Sequence, residues 1–383
     1  MMENDAVGID FGSFRTKIGI FRAGNYEEIL DEKGHPWDSY VTFEPIENFY
    51  GCEALQRQGD SLASTIYAWK NLIGCSSEDL TAVLELSTKL FNKTPSSVST
   101  IEIACGGYSF SPDEITTMFF AHIKERIDHL YPPSNCSKND EAQISKTRRK
   151  CVITAPAFLT DTKRQVLKRA LEDAGFEILQ IVDEPTAAAI SYGFSNTAKS
   201  TKNVLFLDLG ATNFNVGIFA LHGNRIVTKA IHGLQRAGGE AFSLPIENDL
   251  ITRIWAVNGG EKLNIEEEWL VKKAAFEAVE ELIRGDECVI NYPKAQIAYK
   301  LDRHQIEICG TIVPTNDSIA QGASIFAAHL HSTENPKSYS RVHEDPYIRD
   351  LELEEAKELP EVLRPNSSLA FPTEPLNLAE TRF

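Results

Sequence analysis

Two short segments carry residue types arranged for phosphate chemistry. Residues 9–21 read IDFGSFRTKIGIF and residues 207–219 read LDLGATNFNVGIF. Laid together without a gap, they pair Asp10 with Asp208, Gly12 with Gly210, Gly19 with Gly217, Ile20 with Ile218 and Phe21 with Phe219. In each copy an apolar strand ends in Asp-x-Gly, and a short polar turn leads into a second strand of alternating apolar residues. Such a hairpin needs glycine for its turn. The same turn lets successive backbone N–H groups converge on an anion, and the carboxylate at the strand end can hold a hydrated Mg²⁺. One Asp-x-Gly occurs in many ordinary hairpins. A gapless pair about half a chain apart implies two similar lobes facing one nucleotide, each holding one side of its phosphates.

A third acidic residue belongs with them. Residues 151–193 read CVITAPAFLTDTKRQVLKRALEDAGFEILQIVDEPTAAAISYG. Cys151–Ala155 reads as an apolar strand, and Asp161 as the cap of a helix that runs to about Ala174 and is ended by Gly175. Ile178–Val182 reads as the next strand. Pro185 opens a further helix through Tyr192, because proline lacks the N–H that the first helical turn leaves unpaired. Glu184 then stands at a strand-to-helix junction, the usual place for ligand-facing groups in an α/β sheet. The residues alone leave a second reading open, in which Glu184 merely complements the helix N-terminus.

The elements that must hold these groups belong to a chain of 383 residues, long enough for two or three domain-sized units. A net charge of −17 argues against capture by nucleic acid or an anionic membrane surface. Seven scattered cysteines without a Cys-x-x-Cys pair suggest neither a disulfide framework nor a zinc site. The start MMENDAVGID shows no signal-peptide pattern, and no apolar run is long enough to span a bilayer. The expectation is a soluble, cytoplasmic protein.

Further segments make the pattern specific. GIDFGSFRTKIGIF, YAWKNLIG (67–74), FSPDEITTMFFAHIKERI (110–127), VITAPAFLTDTKRQ, VDEPTAAAISYG, FLDLGATNFNVGIF, AGGEAF (237–242) and NDSIAQGASIFAA (316–328) follow one another. Their order and spacing resemble the nucleotide-binding domain of the 70-kDa heat-shock chaperones, well over residues 5–245 and in patches to 330. DEPTAAAISYG with the preceding VITAPAF is the most specific signal, since Asp-x-Gly turns are shared with actins and sugar kinases. The resemblance implies an α/β, actin-like ATPase fold, with two similar lobes of mixed β-sheet and helices around a nucleotide cleft. It implies ATP or ADP with Mg²⁺ as ligand. Gly12 and Ser13 would approach the phosphates, Asp10 and Asp208 would organise the metal, Lys70 would polarise the transferred phosphoryl group, and Glu184 would orient the attacking water. Gly210, Thr212 and Asn213 would form the second phosphate loop. Gly238 and Gly239 would approach the nucleotide from the second lobe, and Glu277 would face the adenosine from a helix spanning 271–284. These roles fit phosphoryl transfer, which needs positioning, cations and an oriented water rather than a covalent nucleophile.

Departures from the family pattern stand beside the matches. Phe14 replaces a threonine after Ser13. Ala211 and Thr212 replace glycines of the second loop, and Asn213 replaces its threonine. Asn215 replaces an acidic residue, removing a charge from the cation site. The family's adenosine-binding lysine and serine fall on Glu280 and Arg284, and only Ile290–Cys309 separates that helix from the NDSIAQGASIFAA helix. The expected domains are therefore a first lobe over 1–197, a shortened second lobe over 198–330 and a largely disordered tail over 331–383 with one short helix. Asp350–Leu353 falls about where an apolar interdomain linker would start, but its glutamates do not suit one.

Three functional readings follow. The first is an ATP-binding, chaperone-type protein with weak or lost hydrolysis, whose nucleotide state sets the angle between lobes. The second is a nucleotide-independent pseudo-ATPase that binds other chaperones or the ribosome. The third, a small-molecule kinase, lacks an identifiable acceptor pocket. Co-chaperones, other chaperones or the ribosome are the expected partners. The family's substrate-binding β-domain and lid have no counterpart in this sequence, so unfolded polypeptide is not an expected ligand. Residues Ser134–Arg149 read as a polar surface loop, with the basic Lys146–Lys150 run on a solvated face. His35, His122, His129, His232 and His329 show no metal spacing and read as surface or packing residues.

Overall fold

The computed structural model describes residues 6–334 and 352–355, except 23, 59–63, 76–100, 106, 134–135, 137–139, 196–199, 258, 285–286, 293–294 and 301–317. The first lobe is built on a mixed sheet. β1 (Val7–Phe11) lies between β2 (Arg15–Arg22), antiparallel, and β10 (Arg149–Ala155), parallel. β3 (Asn25–Glu28) and β4 (Trp37–Asp38) extend one side, and β11 (Phe176–Asp183) extends the other. A small sheet of β5 (Tyr40–Phe43), β6 (Asn48–Tyr50) and β7 (Thr65–Tyr67) stands beside helix α1 (Gly51–Arg57), and β8 (Ile103–Cys105) pairs with β9 (Tyr108–Phe110). Alternation sorts β1 by face: Val7, Ile9 and Phe11 are fully buried under α2 (Pro112–Leu130) and α4 (Asp161–Asp173). There Phe11 meets Phe120 edge-on at 5.0 Å between centroids.

The second sheet repeats the first. β12 (Lys202–Leu209) and β13 (Asn213–His222) pair antiparallel with Asp208 opposite Asn215, the same register that sets Asp10 opposite Lys17 in β1–β2. β14 (Arg225–Gln235) continues the sheet. Between the two sheets lie α5 (Glu184–Ser195) and α8 (Ser318–Glu334), whose alanine-rich faces share one core with Val152, Phe219 and Ile226. They are so close that a Cβ on Gly322 would stand 1.7 Å from the Ala187 carbonyl oxygen, which only glycine avoids. α6 (Gly239–Val257) and α7 (Ile265–Arg284) pack together with the hairpin β15 (Glu287–Tyr292) and β16 (Ala295–Lys300).

Several local expectations are corrected. Thr160 caps α4 through its hydroxyl, with Asp161 as the first helical residue. The polar segment 134–149 contains a short helix, α3 (Glu141–Lys146), capped by Asp140. Within the basic run, Arg149 is not solvated. It is 1% exposed and its Nη2 lies 2.6 Å from Asp128 Oδ1, so a buried charge is paired within the first lobe. α7 begins at Ile265 rather than 271, because Asn264 and Glu267 exchange the side-chain-to-backbone bonds of a capping box. α8, placed by sequence with the second lobe, packs on β1, β2 and β10 of the first. In the tail, β17 (Glu352–Glu355) is a strand paired parallel to β14, not disordered chain. Residues 335–351 and 356–383 of the tail and the start of the 316–328 motif lie outside the described residues.

Candidate functional site

Both Asp-x-Gly turns open on one cleft. In the first loop, Gly12 accepts a hydrogen bond at its carbonyl from the Ser39 hydroxyl (2.8 Å), and the Ser39 N–H donates to the Phe14 carbonyl (2.8 Å). In the second loop, the Gly210 N–H closes the turn onto the Asn213 carbonyl (2.9 Å). The two loops touch each other directly. Ser13 Oγ lies 2.7 Å from Thr212 Oγ1, and Asn213 Nδ2 donates to Asn71 Oδ1 across the cleft (3.2 Å). Asn213 Oδ1 is buried without a partner, an acceptor that faces no donor.

Gly238 and Gly239 support the second loop. The N–H groups of Gly238, Gly239 and Glu240 donate to the carbonyls of Thr212, Gly210 and Ala211 at 3.2, 2.9 and 2.8 Å. A Cβ on Gly238 would fall 2.5 Å from the Gly210 oxygen, so glycine is required for this backbone contact. Three N–H groups near the start of α6 are therefore spent on the loop itself.

Lys70 stands on a 3-10 turn, Trp69–Leu72, entered through Ala68 in the left-handed region at φ 56°. Trp69 anchors that turn by burying its ring and donating Nε1–H to Thr116 Oγ1 (3.0 Å). Lys70 Nζ thereby reaches Glu184 Oε1 at 2.7 Å, with both side chains under a tenth exposed. At the strand-to-helix junction Glu184 thus has a buried cationic partner.

Asn215 links the remaining carboxylates. Its Nδ2 donates to Glu184 Oε2 (2.5 Å) and Asp208 Oδ2 (3.0 Å), and its Oδ1 accepts the Ala157 N–H (3.1 Å), which fixes the amide's orientation. The loss of a charge at this position also supplies a donor shared by two anions. Asp10 accepts from the Thr154 hydroxyl (3.3 Å). Burial, then repulsion from Glu184 and Asp208, pushes Asp10 up to about 7 against the pull of Lys70. Burial and Glu184 push Asp208 up to about 6. Three carboxylates against Lys70, with Lys17 acting more weakly on Asp10, leave the cleft short of positive charge.

That imbalance is the fit for Mg²⁺. Among the described residues no three His, Cys, Asp or Glu groups converge as a metal cage. Mg²⁺ does not need one, because it takes one or two carboxylates and completes its shell with water and phosphate. Asp10 and Asp208 suit that role.

On the helix expected to face adenosine, Glu277 is largely exposed and lies 3.9 Å from Lys273. Its helical neighbours make the cross-cleft contacts. Phe276 meets Phe14 at 5.6 Å, and Phe14 meets Tyr67 at 5.7 Å. Lys272 lies 3.3 Å from Glu240. Burial works against that ammonium, but Tyr67, Glu240 and Glu247 hold it above the usual lysine range. Sequence reasoning missed Asn71, Thr154, Phe276 and the donor role of Asn215. For Asn71 the signal was its place beside Lys70; for Asn215, its place one turn of the hairpin past Asp208.

Comparisons with known proteins identify the family. The model of the Hsp70 protein family matches residues 6–282, more than half of the chain. The chain is 31% identical to a heat shock 70 kDa protein of Ajellomyces capsulatus, over 64% of this chain and 34% of the relative. It is 32% identical to a heat shock protein of Pyricularia oryzae, over 62% and 37% of the two chains. It is 31% identical to a protein of Eremothecium gossypii described as a ribosome-associated molecular chaperone, again over 62% and 37%. The match spans little more than a third of these relatives' length.

Proposed function

The chain belongs to the Hsp70 protein family, and from that premise we propose that it binds Mg-ATP or Mg-ADP between its lobes, with weak or lost hydrolysis, as a chaperone-type protein. The supporting observation is the buried Lys70–Glu184 pair at 2.7 Å beside Asp10 and Asp208, four groups drawn from both lobes. Bound Mg²⁺ would supply the positive charge that the three carboxylates lack and neutralise phosphate. Asp10 and Asp208 would hold that ion through its waters. Lys70 would meet the terminal phosphate, and Glu184 would orient water. Ser13, Thr212 and the backbone of Gly12 and Gly210 would turn from each other toward the phosphates.

Weak turnover follows from the same groups. Lys70 and Asn215 both occupy Glu184, which leaves that carboxylate less free to order a water. Ala211 and Thr212 add side chains where a loop backbone would meet phosphate. A division near residue 198, with α8 returning to the first sheet, would let nucleotide state set the lobe angle. The proposed location is the cytoplasm; no described helix is long and apolar enough to cross a membrane. The proposed partners are co-chaperones, other chaperones or the ribosome.

The Ser13–Thr212 contact favours one second reading, a nucleotide-independent pseudo-ATPase, because the phosphate loops already satisfy each other. Calorimetric titration with Mg-ATP and Mg-ADP separates the two. Micromolar or tighter binding is expected. No heat, together with no thermal stabilisation at millimolar nucleotide, overturns the first reading in favour of the second.

A further inference from the structure

Among the described residues, two that are not glycine hold a left-handed backbone: Ala68 at φ 56° and Arg236 at φ 68°. A side chain strains the chain there, and such strain persists where the surrounding structure enforces it, often at a ligand site. Ala68 stands two residues before Lys70. Arg236 stands two residues before Gly238, whose N–H is tied to the Thr212 carbonyl. It follows β14 directly, where Gly233 lies opposite Asn215 and Gln235 opposite Asn213. That register delivers Arg236 to the second phosphate loop.

The guanidinium is not fully paired. Arg236 is half-buried, and its Nη2 is buried with no hydrogen-bond partner among the described residues. Nor is Arg236 among the charges that act most strongly on Asp10 or Asp208. Buried polar groups are normally satisfied, and an unsatisfied one destabilises the fold. Strained backbone and an unpaired buried donor therefore meet in one residue, and both burden the free protein. An anion bound beside the loop accounts for both.

We propose that Arg236 is a phosphate-binding residue, reaching the nucleotide's phosphate oxygens from the second lobe as Lys70 does from the first. This rests on the reading that Mg-ATP or Mg-ADP binds between the lobes. A planar guanidinium offers phosphate two parallel donors, a geometry that an ammonium does not match. The contact gives Nη2 the acceptor it lacks and adds a cation to a cleft that holds three carboxylates.

Calorimetric titration with Mg-ADP, paired with thermal unfolding of the nucleotide-free chain, tests the assignment in Arg236→Gln and Arg236→Gly. Glycine adopts this backbone without strain, so Arg236→Gly should fold. Both variants should raise Kd roughly ten- to hundredfold, the loss of a hydrogen bond to a charged group. Neither should lower the Tm of the free chain, and Arg236→Gly should raise it. Arg236→Lys, which keeps the charge, should recover part of the binding. A Kd within about twofold of the unmodified chain in both variants overturns the assignment. So does a lower Tm of nucleotide-free Arg236→Gly, which marks an arginine that holds the fold. Absence of binding by the unmodified chain is a separate failure: it refutes the Mg-nucleotide reading, and the assignment falls with it.

Discussion

Asp10→Asn should make the nucleotide-free protein more stable, although it removes a group proposed to act on Mg²⁺. In the fold, burial and two neighbouring carboxylates push Asp10 up to about 7 from 3.8. The folded state therefore binds this proton more tightly than the unfolded chain does, and ionising Asp10 costs stability. That cost appears as pH rises above about 4 and is complete above about 7. At pH 8 a shift of this size corresponds to about 4 kcal/mol as a ceiling. Asp10 as a residue is only partly buried, so about 1–3 kcal/mol is the expected gain. Asparagine keeps an oxygen for the Thr154 hydroxyl, so no hydrogen bond need be lost. Urea unfolding of both proteins in a chelator at pH 5, 6.5 and 8 measures the difference. The variant's advantage should be largest at pH 8 and fall by more than half at pH 5. An advantage that ignores pH, or a variant less stable at pH 8, refutes the account of a charge-starved cleft.

Lys70→Met leaves Glu184 buried without its cation and should cost about 3–5 kcal/mol in the same unfolding assay, with most of the loss recovered in the Lys70→Met, Glu184→Gln double variant. Phe276→Ala removes the ring that meets Phe14 across the cleft, a pair worth about 1 kcal/mol. It should raise the radius of gyration in small-angle scattering; an unchanged radius would mean that this contact does not hold the lobes together. His122 is stacked on Tyr50 and packed edge-on to Trp37, and burial lowers its pKa. Its neutral form is the one the fold prefers, so its contribution is present above pH 6.5 and is lost as pH falls below that value. His122→Phe should flatten this acid-side loss in a thermal melt at pH 5 against pH 7.5; an unaltered slope would assign it to other groups.

The repeat, the hairpins, the strand–helix–strand run through DEPTAAAISYG and the family itself were all legible in the sequence. Each rests on local spacing: a glycine at a turn, apolar residues every second position, a proline opening a helix. The same spacing singled out Asp10, Glu184 and Asp208, while Lys70 followed from the family resemblance. It did not say what they touch. The Lys70–Glu184 pair joins residues 114 positions apart, and Ser13 meets Thr212 across 199. Asn215 reads as a lost charge in the sequence and as a bridge between two carboxylates in the fold. Arg149 reads as part of a solvated basic run in the sequence and is paired with buried Asp128 in the fold. Nor could alternation alone distinguish Val7, Ile9 and Phe11, which are buried, from Leu205, Leu207 and Leu209, which are exposed. A strand's pattern states which residues share a face, but only the packing of distant elements decides whether anything covers it.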